Sequence, residues 1–321
     1  MSGLSHTIAF PDALGTGIIV GLSQPVSAQL EQRIRLWLGE YEAALSRFRA
    51  DSLVGQMAAS EHGGRFVFPA YAEALFALYD RLVEASGGAF DPCVGEDLTR
   101  LGYGADWSFA LGSGGAEEDE TGANGSHPTW RESVQHNGAE LITQAPVQMD
   151  FGAAGKGFAV DMIAAMLRDA LPDAALVIDA GGDLYAHGQP IRVALEDPDN
   201  AENAVGVAEL AEASLCASAP SRRHWAARAS DGAVIQVHHL LNALNGTPVR
   251  EVKATWTLVP HGASAYPTAL ADGLATALFV TDADTLARRF TTQGAPAFQC
   301  AAMAADRTAV ASVDFPAEFF C

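Results

Sequence analysis

The stretch from Asp150 to Asp161 (Asp-Phe-Gly-Ala-Ala-Gly-Lys-Gly-Phe-Ala-Val-Asp) constrains the fold more than any other part of the sequence. Its only cation, Lys156, is surrounded by three glycines: Gly152, Gly155 and Gly157. A run with strand character, 147–151, precedes the glycines, and a helical pattern, 158–171, follows them. Glycine allows positive φ and close approach to a ligand, and a helix N-terminus attracts anions. The pattern predicts either an anion site, with phosphate as the first choice, or a tight turn whose lysine faces water.

Neither of the two common phosphate-binding motifs is present in this stretch. A P-loop requires Ser or Thr directly after its lysine, where this chain has Gly157. The dinucleotide fingerprint requires the order Gly-x-Gly-x-x-Gly, and the glycines here are spaced differently. Spacing alone therefore does not identify the anion.

Composition excludes several classes of function. The 321-residue chain carries a formal net charge of -20, with a pI near 4.6, which argues against nucleic acid and anionic membranes as partners but not against a nucleotide. No apolar run is long enough to cross a bilayer, so we expect no membrane insertion. The first ten residues lack the pattern of a secretory signal, and the four cysteines form no Cys-x-x-Cys pair. We therefore predict a cytoplasmic protein without structural zinc.

Helical and strand patterns are mixed along the chain without strict alternation, which predicts an α+β fold rather than a doubly wound sheet. The helical patterns cover 26–49, 70–86 and 266–279, and the segments 184–187 and 191–195 are predicted to form a hairpin. We expect one domain over residues 1–321. Residues 104–128, rich in Gly, Ala, Glu and Asp, are predicted to be a flexible acidic insertion.

Two side chains four residues apart form a candidate metal site. On a helix, Asp272 and Thr276 lie on one face, and a carboxylate with a hydroxyl suits Mg²⁺. The alternative is that the threonine bonds its own backbone and the aspartate faces water. Asp183 follows a glycine pair, and it either binds a nucleotide or caps its turn. His238 and His239 are candidates for acid–base or phosphate contact, but in a strand at most one of them points into a given site.

Five stretches, in the right order, resemble the FAD:protein FMN transferase family (the ApbE-type flavin transferases). They are Ser86 to Pro92, Asp150 to Gly157, Gly181 to Asp183, His238 to Gly246, and Asp272 to Ala277. Arg49 to Ser52 and Leu14 to Thr16 resemble weaker features near the family's N-terminus. Together these stretches span nearly the whole chain, so the ordered set is far more specific than any one motif.

The resemblance implies a fold and an activity. The expected fold is ApbE-like (T-fold-like), with mixed, largely antiparallel sheets packed against helices. The expected reaction is Mg²⁺-dependent transfer of FMN from FAD to a Ser or Thr of an acceptor protein, with release of AMP. A pyrophosphate and a metal both fit an anion loop followed by a carboxylate–hydroxyl helix.

The resemblance also implies roles for particular residues. Mg²⁺ would be held by the side chains of Asp272 and Thr276 and by the carbonyl of Ala153. FAD would be bound by the following residues: Lys156, Gly155, Gly157, Gly181, Gly182, Asp183, Asp91 and Ser52. His239, Asp272 and Lys156 are the predicted catalytic residues, and the general base is either Asp272 or His239.

The sequence departs from the family pattern after the histidine pair. Asn242-Ala243 stands where the family has Asp-Pro, and Leu244-Asn245 stands where it has Arg-Thr. These changes keep one alternative open, an FAD pyrophosphatase that uses water as the acceptor. A protein that binds flavin without turnover is the other alternative, and the intact Asp272, Thr276 and Lys156 argue against it. Glu118 to Asn124 is close to the acceptor motif of the family, which raises the hypothesis of self-flavinylation at Thr121.

Overall fold

The computed structural model describes residues 3–104, 127–228 and 234–320. The predicted insertion, 104–128, and the candidate acceptor Thr121 fall almost entirely outside these ranges. Within them lie eight α-helices: α1 (Ala28–Leu45), α2 (Leu53–Ala59), α3 (Ala72–Ala85), α4 (Gly95–Arg100), α5 (Trp130–Ser133), α6 (Gly152–Ala170), α7 (Pro267–Ala277) and α8 (Ala283–Arg289). Three short 3-10 helices lie at Ala13–Gly15, Pro92–Val94 and Pro220–Arg222.

An eight-stranded sheet, antiparallel at each pairing, forms the frame of the fold. Its strands, in spatial order, are β1 (His6–Phe10), β2 (Ile18–Leu22), β6 (Leu176–Asp179), β7 (Asp183–His187), β10 (Ala213–Ser218), β15 (Val252–Pro260), β18 (Gln299–Ala304) and β19 (Ala309–Ala311). Because long sequence separations divide several neighbours in this order, tertiary packing rather than local turns brings them together.

The remaining described strands form smaller antiparallel sheets. They are β3 (Gly64–Val67), β5 (Glu140–Thr143) and β4 (Val134–Asn137); β20 (Ala317–Phe319), β9 (Asn200–Leu210) and β8 (Ile191–Asp197); and the pairs β11 (His224–Arg228) with β12 (Val234–His238), β13 (Leu241–Asn242) with β14 (Thr247–Pro248), and β16 (Thr291–Thr292) with β17 (Ala295–Pro296). None of the helices in the described ranges combines the length and apolarity that a membrane span requires.

Helices cover one face of the large sheet, and the β8–β9–β20 sheet covers much of the other. On the helical face, Ile34 of α1 and Ile163 of α6 are fully buried with Ile178 of β6. On the opposite face, Leu195 of β8 packs in one cluster with Trp256 of β15. Each such side chain stabilises the fold by about 1.5–3 kcal/mol through removal of its apolar surface from water.

The glycine stretch lies inside helix α6 and not in a turn before it. No strand forms at 147–151, and the helix begins at Gly152 rather than at residue 158. Gly152, Gly155 and Gly157 do not have positive φ. The prediction of a strand–turn–helix unit is therefore wrong. Gly157 serves close packing between helices instead of a turn, because a Cβ on it would lie 2.3 Å from the carbonyl oxygen of Thr268 in α7.

The predicted hairpin of 184–187 with 191–195 is also wrong. Strand β7 pairs with β6 and β10 in the large sheet, whereas β8 pairs with β9 in a separate one. Both segments are strands, as predicted, but their partners lie elsewhere in the chain. The short connection between them therefore passes from one layer to the other.

Candidate active site

Lys156 lies between two buried carboxylates. Its Nζ is 3.0 Å from both Oδ1 and Oδ2 of Asp272, and 3.0 Å from Oδ2 of Asp183. The side chains of Asp183 and Asp272 are 2% and 3% exposed, whereas that of Lys156 keeps 32% exposure. Two negative groups and one positive group thus lie together with the lysine partly exposed to solvent, and the formal charges of the three side chains sum to one negative charge.

These three side chains lie on three different elements of the fold. Lys156 lies in the second turn of α6, Asp272 in the middle of α7, and Asp183 at the first residue of β7. The N–H of Gly157 donates to Asp272 Oδ2 at 3.0 Å, which ties α6 to α7. Because Gly157 has no Cβ, the two helices approach closely enough for this bond to form.

Burial and neighbouring charges shift the pKa of both members of the Lys156–Asp272 pair. Burial, followed by repulsion from Asp183, raises the pKa of Asp272 above that of an ordinary aspartate. Burial alone would lower the pKa of Lys156, but the two carboxylates outweigh it and hold that pKa above its usual range. Lys156 is therefore charged at neutral pH, and the excess negative charge of the cluster favours uptake of a proton or a cation.

One carboxylate oxygen in this cluster depends on the lysine. Asp183 Oδ2 is buried and forms an ion pair with Lys156, whose Nζ lies 3.0 Å away. Buried charged groups are usually paired or coordinate a metal ion. The oxygen chemistry of Asp183 and Asp272 suits a hard cation such as Mg²⁺.

The other predicted metal ligands lie on the same two helices. Thr276 is half-buried one turn beyond Asp272, with its Oγ1 3.3 Å from Ser218 Oγ at the end of β10. Ala153 lies in the first turn of α6. The Gly157 N–H, whose partner in a regular helix is the Ala153 carbonyl, donates to Asp272 Oδ2. A backbone carbonyl has two lone pairs, so the Ala153 oxygen can take a partner besides this N–H.

The N-terminal N–H groups of α6 are largely used within the protein. Gly152 N–H donates to Asp150 Oδ1 at 2.6 Å, Ala154 N–H to Tyr79 Oη at 3.2 Å, and Gly155 N–H to the carbonyl of Phe151 at 2.8 Å. The N–H groups of Gly152 and Ala154 are therefore already engaged within the protein and do not point to an anion. Lys156 is a cation available to an anion at this place.

Asp161, which sequence reasoning gave no role, holds α7 in place. Its Oδ1 accepts from Thr268 N–H at 3.0 Å and its Oδ2 accepts from Ala269 N–H at 2.9 Å, at the first turn of α7. Burial raises the pKa of Asp161 to about 7, although these hydrogen bonds oppose the shift. The signal in the sequence that could have revealed this role is a carboxylate within an otherwise apolar helical stretch.

The glycine pair before Asp183 adopts positive φ, 71° at Gly181 and 109° at Gly182, as its predicted turn requires. A Cβ on Gly181 would overlap Oγ1 of Thr16. The N-terminal loop that resembled a family feature therefore packs on this turn. Gly182 N–H donates to Asp179 Oδ1 at 3.1 Å, which closes the turn and directs Asp183 toward Lys156.

The two neighbouring histidines differ in their partners. His238 uses both ring nitrogens on the backbone, with Nε2 2.9 Å from the Val249 carbonyl and Nδ1 accepting from Leu240 N–H. His239 places Nδ1 3.2 Å from the carbonyl of Arg223, so Nδ1 is protonated and Nε2 is the acceptor. Burial lowers the pKa of His239 to about 4, which keeps it neutral at physiological pH. His239 is thus the histidine suited to accept a proton.

A buried ion pair, which sequence reasoning missed, supports the start of α6. Arg47 Nε donates to Asp150 Oδ2 at 2.6 Å, and the guanidinium carbon lies 4.2 Å from the ring centroid of Phe48 and 4.6 Å from that of Tyr103. Arg47 lies just after α1, more than 100 residues from its partner. No local pattern could have shown this contact.

Ser52 and Asp91, two of the predicted FAD-binding residues, have structural tasks. Ser52 Oγ accepts from Gly55 N–H at the start of α2. Asp91 Oδ1 accepts from Cys93 N–H at 2.8 Å, and its carboxylate also accepts from Trp130 N–H. Both act as caps in buried positions. Their predicted contact with FAD stays a prediction.

The segment that departs from the family pattern keeps its turn. Asn242 Oδ1 accepts from Leu244 N–H at 3.0 Å, and this is a bond that an aspartate could also make. Leu244, where the family pattern has arginine, is 62% exposed.

A separate cavity of about 370 Å³, lined by residues that include Arg81, Phe158 and Tyr266, does not include the Lys156 cluster.

The site joins one partly exposed lysine to two buried carboxylates where α6, α7 and β7 meet. The ApbE family matches residues 14–298, and the chain belongs to that family. A curated relative, the FAD:protein FMN transferase of Treponema pallidum (strain Nichols), is 28% identical over an alignment of 275 residues, and the match covers 79% of this chain and 72% of the relative. The resemblance noted from the sequence motifs, to the family of ApbE-type flavin transferases, is confirmed at this level.

Solved structures confirm the fold. The ApbE protein of Thermotoga maritima MSB8 has a TM-score of 0.78 at 20% identity, covering 96% of this chain and 97% of that one. The flavin transferase ApbE of Vibrio cholerae has a TM-score of 0.75 at 20% identity, with coverages of 97% and 98%. The flavinyl transferase ApbE of Pseudomonas stutzeri, in its apo form, has a TM-score of 0.73 at 22% identity, with coverages of 96% and 94%. The predicted α+β class, with largely antiparallel sheets packed against helices, is therefore correct.

Proposed function

We propose that this protein transfers FMN from FAD to a Ser or Thr hydroxyl of an acceptor protein, releases AMP and depends on Mg²⁺. The observation that carries the proposal is the cluster of Lys156, Asp183 and Asp272 on an ApbE fold. The named activity of the Treponema relative supports the same reaction. We keep the cytoplasm as the proposed compartment, on the evidence of the cysteine pattern alone.

The donor set fits the proposed metal. Asp272, Thr276 and the carbonyl of Ala153 would hold Mg²⁺, because all three offer hard oxygen atoms along the α6–α7 contact. The excess negative charge of the cluster favours a cation there. When bound, Mg²⁺ supplies positive charge against the phosphate oxygens as the pyrophosphate breaks.

The residues of the chain account for the remaining steps. Lys156 is charged and partly exposed, so its Nζ can bind a pyrophosphate oxygen of FAD. Asp183 and its glycines would line the flavin nucleotide pocket. The acceptor oxygen bonds to the FMN phosphorus, the bond from that phosphorus to the bridging oxygen breaks, and AMP leaves with the bridging oxygen.

The hydroxyl proton needs an acceptor, and of the two predicted bases we favour His239. Its Nδ1 hydrogen bond leaves Nε2 as the acceptor and the ring is neutral, although its lowered pKa makes it a weaker base than an ordinary histidine. Asp272, in contrast, is already engaged by Lys156 and by the N–H of Gly157. Asp272 therefore suits metal binding better than proton transfer.

An FAD pyrophosphatase is the second candidate, because one observation favours it. Leu244 is 62% exposed where the family pattern has arginine, so an acceptor protein would meet an apolar side chain there instead of a cation. If this change prevents docking, water can take the place of the hydroxyl, and the products are FMN and AMP.

The test combines the protein with FAD, with and without Mg²⁺, and with an acceptor domain that carries a Thr-Gly-Ala motif. We expect the acceptor to gain the mass of one FMN with one AMP released per event, and only when Mg²⁺ is present. A matched acceptor with Val in place of the motif threonine should gain nothing. Free FMN and AMP without labelled acceptor would identify the pyrophosphatase. FAD that stays bound and intact would contradict both proposals and identify a flavin-binding protein.

A further inference from the structure

A second cluster of chemically active side chains lies at the opposite end of the strands that carry the active site. Strand β7 begins with Asp183 and ends with His187. Glu212 directly precedes β10, and His261 directly follows β15. Ala213 pairs with Ala186 and with Pro260, so the register brings His187, Glu212 and His261 together. Four residues of extended strand put this cluster about 13 Å from Asp183.

We propose that His187, Glu212 and His261 form a binding site for a divalent transition-metal ion such as Zn²⁺, separate from the active site. One ligand atom from each residue lies within 4.8 Å of the others. His187 Nδ1 is 2.7 Å and His261 Nδ1 is 3.7 Å from Glu212 Oε2. Two imidazole nitrogens with one carboxylate suit Zn²⁺, and they disfavour Mg²⁺, which prefers oxygen ligands.

The two distances to Glu212 need only small adjustments to surround an ion. Ligands at about 2.0–2.1 Å from a tetrahedral Zn²⁺ lie about 3.3 Å from one another. The contact of Glu212 with His187 would therefore open by about 0.6 Å, and the contact with His261 would close by about 0.4 Å. Rotation of the side chains can supply shifts of this size without movement of the strands.

The surroundings of His261 favour a ligand. Both of its ring nitrogens are buried and lack a hydrogen-bond partner among the described residues. The ring stacks on Tyr185, with centroids 4.1 Å apart, so its orientation is fixed. Burial lowers the pKa of His261 to about 4, so the ring is in the neutral form that binds metals. An unpaired, oriented and neutral imidazole is the arrangement that a metal ligand requires.

Glu212 is held in position and open to solvent. Its Oε1 accepts from Gly188 N–H at 2.6 Å, and its carbonyl accepts from His261 N–H at 2.8 Å. Its φ of 46° is unusual for a residue other than glycine and is costly to maintain. The side chain is 54% exposed, so an ion can enter from solvent. Arg168, which hydrogen-bonds Tyr185, opposes a cation here, but the carboxylate offsets its charge.

The experiment is a Zn²⁺ titration of the full chain, which carries no affinity tag and has been stripped of metal with chelator. Excess Mg²⁺ is present, so that the proposed Mg²⁺ site at Asp272 is saturated. We expect one Zn²⁺ per chain, and a Co²⁺-loaded sample should show the visible absorption of a low-coordinate nitrogen–oxygen site. His261→Gln should weaken Zn²⁺ binding at least roughly tenfold, since even residues outside the first coordination shell cost about 10–100-fold. His187→Gln is a milder change at the end of a strand and should weaken Zn²⁺ binding in the same way. It replaces His261→Gln in the experiment if that variant does not fold.

Two controls separate this site from others. His62→Gln removes an exposed histidine elsewhere and should leave Zn²⁺ binding unchanged. Asp272→Asn alters the proposed Mg²⁺ site and should also leave it unchanged. No stoichiometric Zn²⁺ binding, or equal binding by the wild type and both cluster variants, would overturn the proposal. Loss of Zn²⁺ binding in Asp272→Asn would overturn it as well, because the ion would then belong to the active site.

Discussion

Alanine at position 157 is the sharpest test of how α6 and α7 build the active site. A Cβ there would lie 2.3 Å from the Thr268 carbonyl oxygen, 2.6 Å from its carbon and 2.9 Å from Ala269 N. Non-bonded heavy atoms are comfortable at about 3.5 Å. The first turn of α7 would therefore have to move by about 1 Å, and all three atoms are backbone atoms that no side-chain rotation can displace.

The expected effect of Gly157→Ala follows from two opposing terms. Overpacking costs about 1–3 kcal/mol, and the better helix propensity of alanine returns about 1 kcal/mol. We expect a net loss of roughly 0–2 kcal/mol in the free energy of unfolding, measured by denaturant titration. Asp272 lies one helical turn beyond Thr268, and a displacement of about 1 Å can reduce a rate about 100-fold. We therefore expect the rate of FMN transfer to fall much more than the stability.

Gly39→Ala is the matched control. Gly39 lies within α1, and a Cβ on it would meet no atom within 4 Å. This variant should gain about 1 kcal/mol of stability from helix propensity and keep the wild-type transfer rate. If Gly157→Ala behaved like Gly39→Ala in both measurements, the close contact of α6 with α7 would be refuted.

Three further predictions concern buried ionisable groups. Lys156→Met leaves two buried carboxylates without their cation, so we expect a loss of about 3–5 kcal/mol in the free energy of unfolding when chelator is present. Mg²⁺ should raise the unfolding temperature of this variant more than that of the wild type, and equal responses would contradict this. Asp161→Ala removes the acceptor of two N–H groups in α7 and should cost about 1–3 kcal/mol in denaturant titration, with no rescue by Mg²⁺. His261 has a pKa of about 4 when folded, below its unfolded value of about 6.5. The native state thus binds fewer protons between these values, so stability falls as the pH drops from 6.5 to 4. In metal-free buffer, His261→Gln should reduce the slope of the unfolding free energy against pH by up to about 1.4 kcal/mol per pH unit. An unchanged slope would count against the buried neutral ring.

The active-site helix α7 could be predicted from sequence because its signal is local. Asp272 and Thr276 are four residues apart in an apolar helical pattern, and this places both on one face without knowledge of the rest of the fold. The positive φ of Gly181 and Gly182 likewise follows from a glycine pair after a strand. The ordered motifs then identified the family, which spacing alone had left open.

The role of the glycines around Lys156 could not be predicted, because the reason lies in another helix. Glycine is common in turns, so a glycine-rich stretch before a helical pattern indicates a turn. Here Gly157 is needed because the Thr268 carbonyl comes close to it, and Thr268 is more than 100 residues away. The sequence shows that a glycine is present but not which backbone it accommodates.

Contacts between distant segments account for the other failures. The partners of β7 are β6 and β10, and the choice of β10 over the nearby β8 depends on the packing of two sheets. The bond of Asp161 to α7 and the ion pair of Arg47 with Asp150 each join separate elements. His187 and Glu212, 25 residues apart, meet only because strand register aligns them.

The rate of acceptor flavinylation by Asp272→Asn tests the central claim most directly. The measurement compares this variant with the wild type at saturating FAD and Mg²⁺, by the mass of the acceptor, and uses Asp282→Asn, at an exposed helix cap, as the control. We predict FMN-labelled acceptor from the wild type and the control and essentially none from Asp272→Asn, with the unfolding temperature of the variant preserved. Labelling by Asp272→Asn at the wild-type rate would contradict the assignment of the Lys156, Asp183 and Asp272 cluster as the active site.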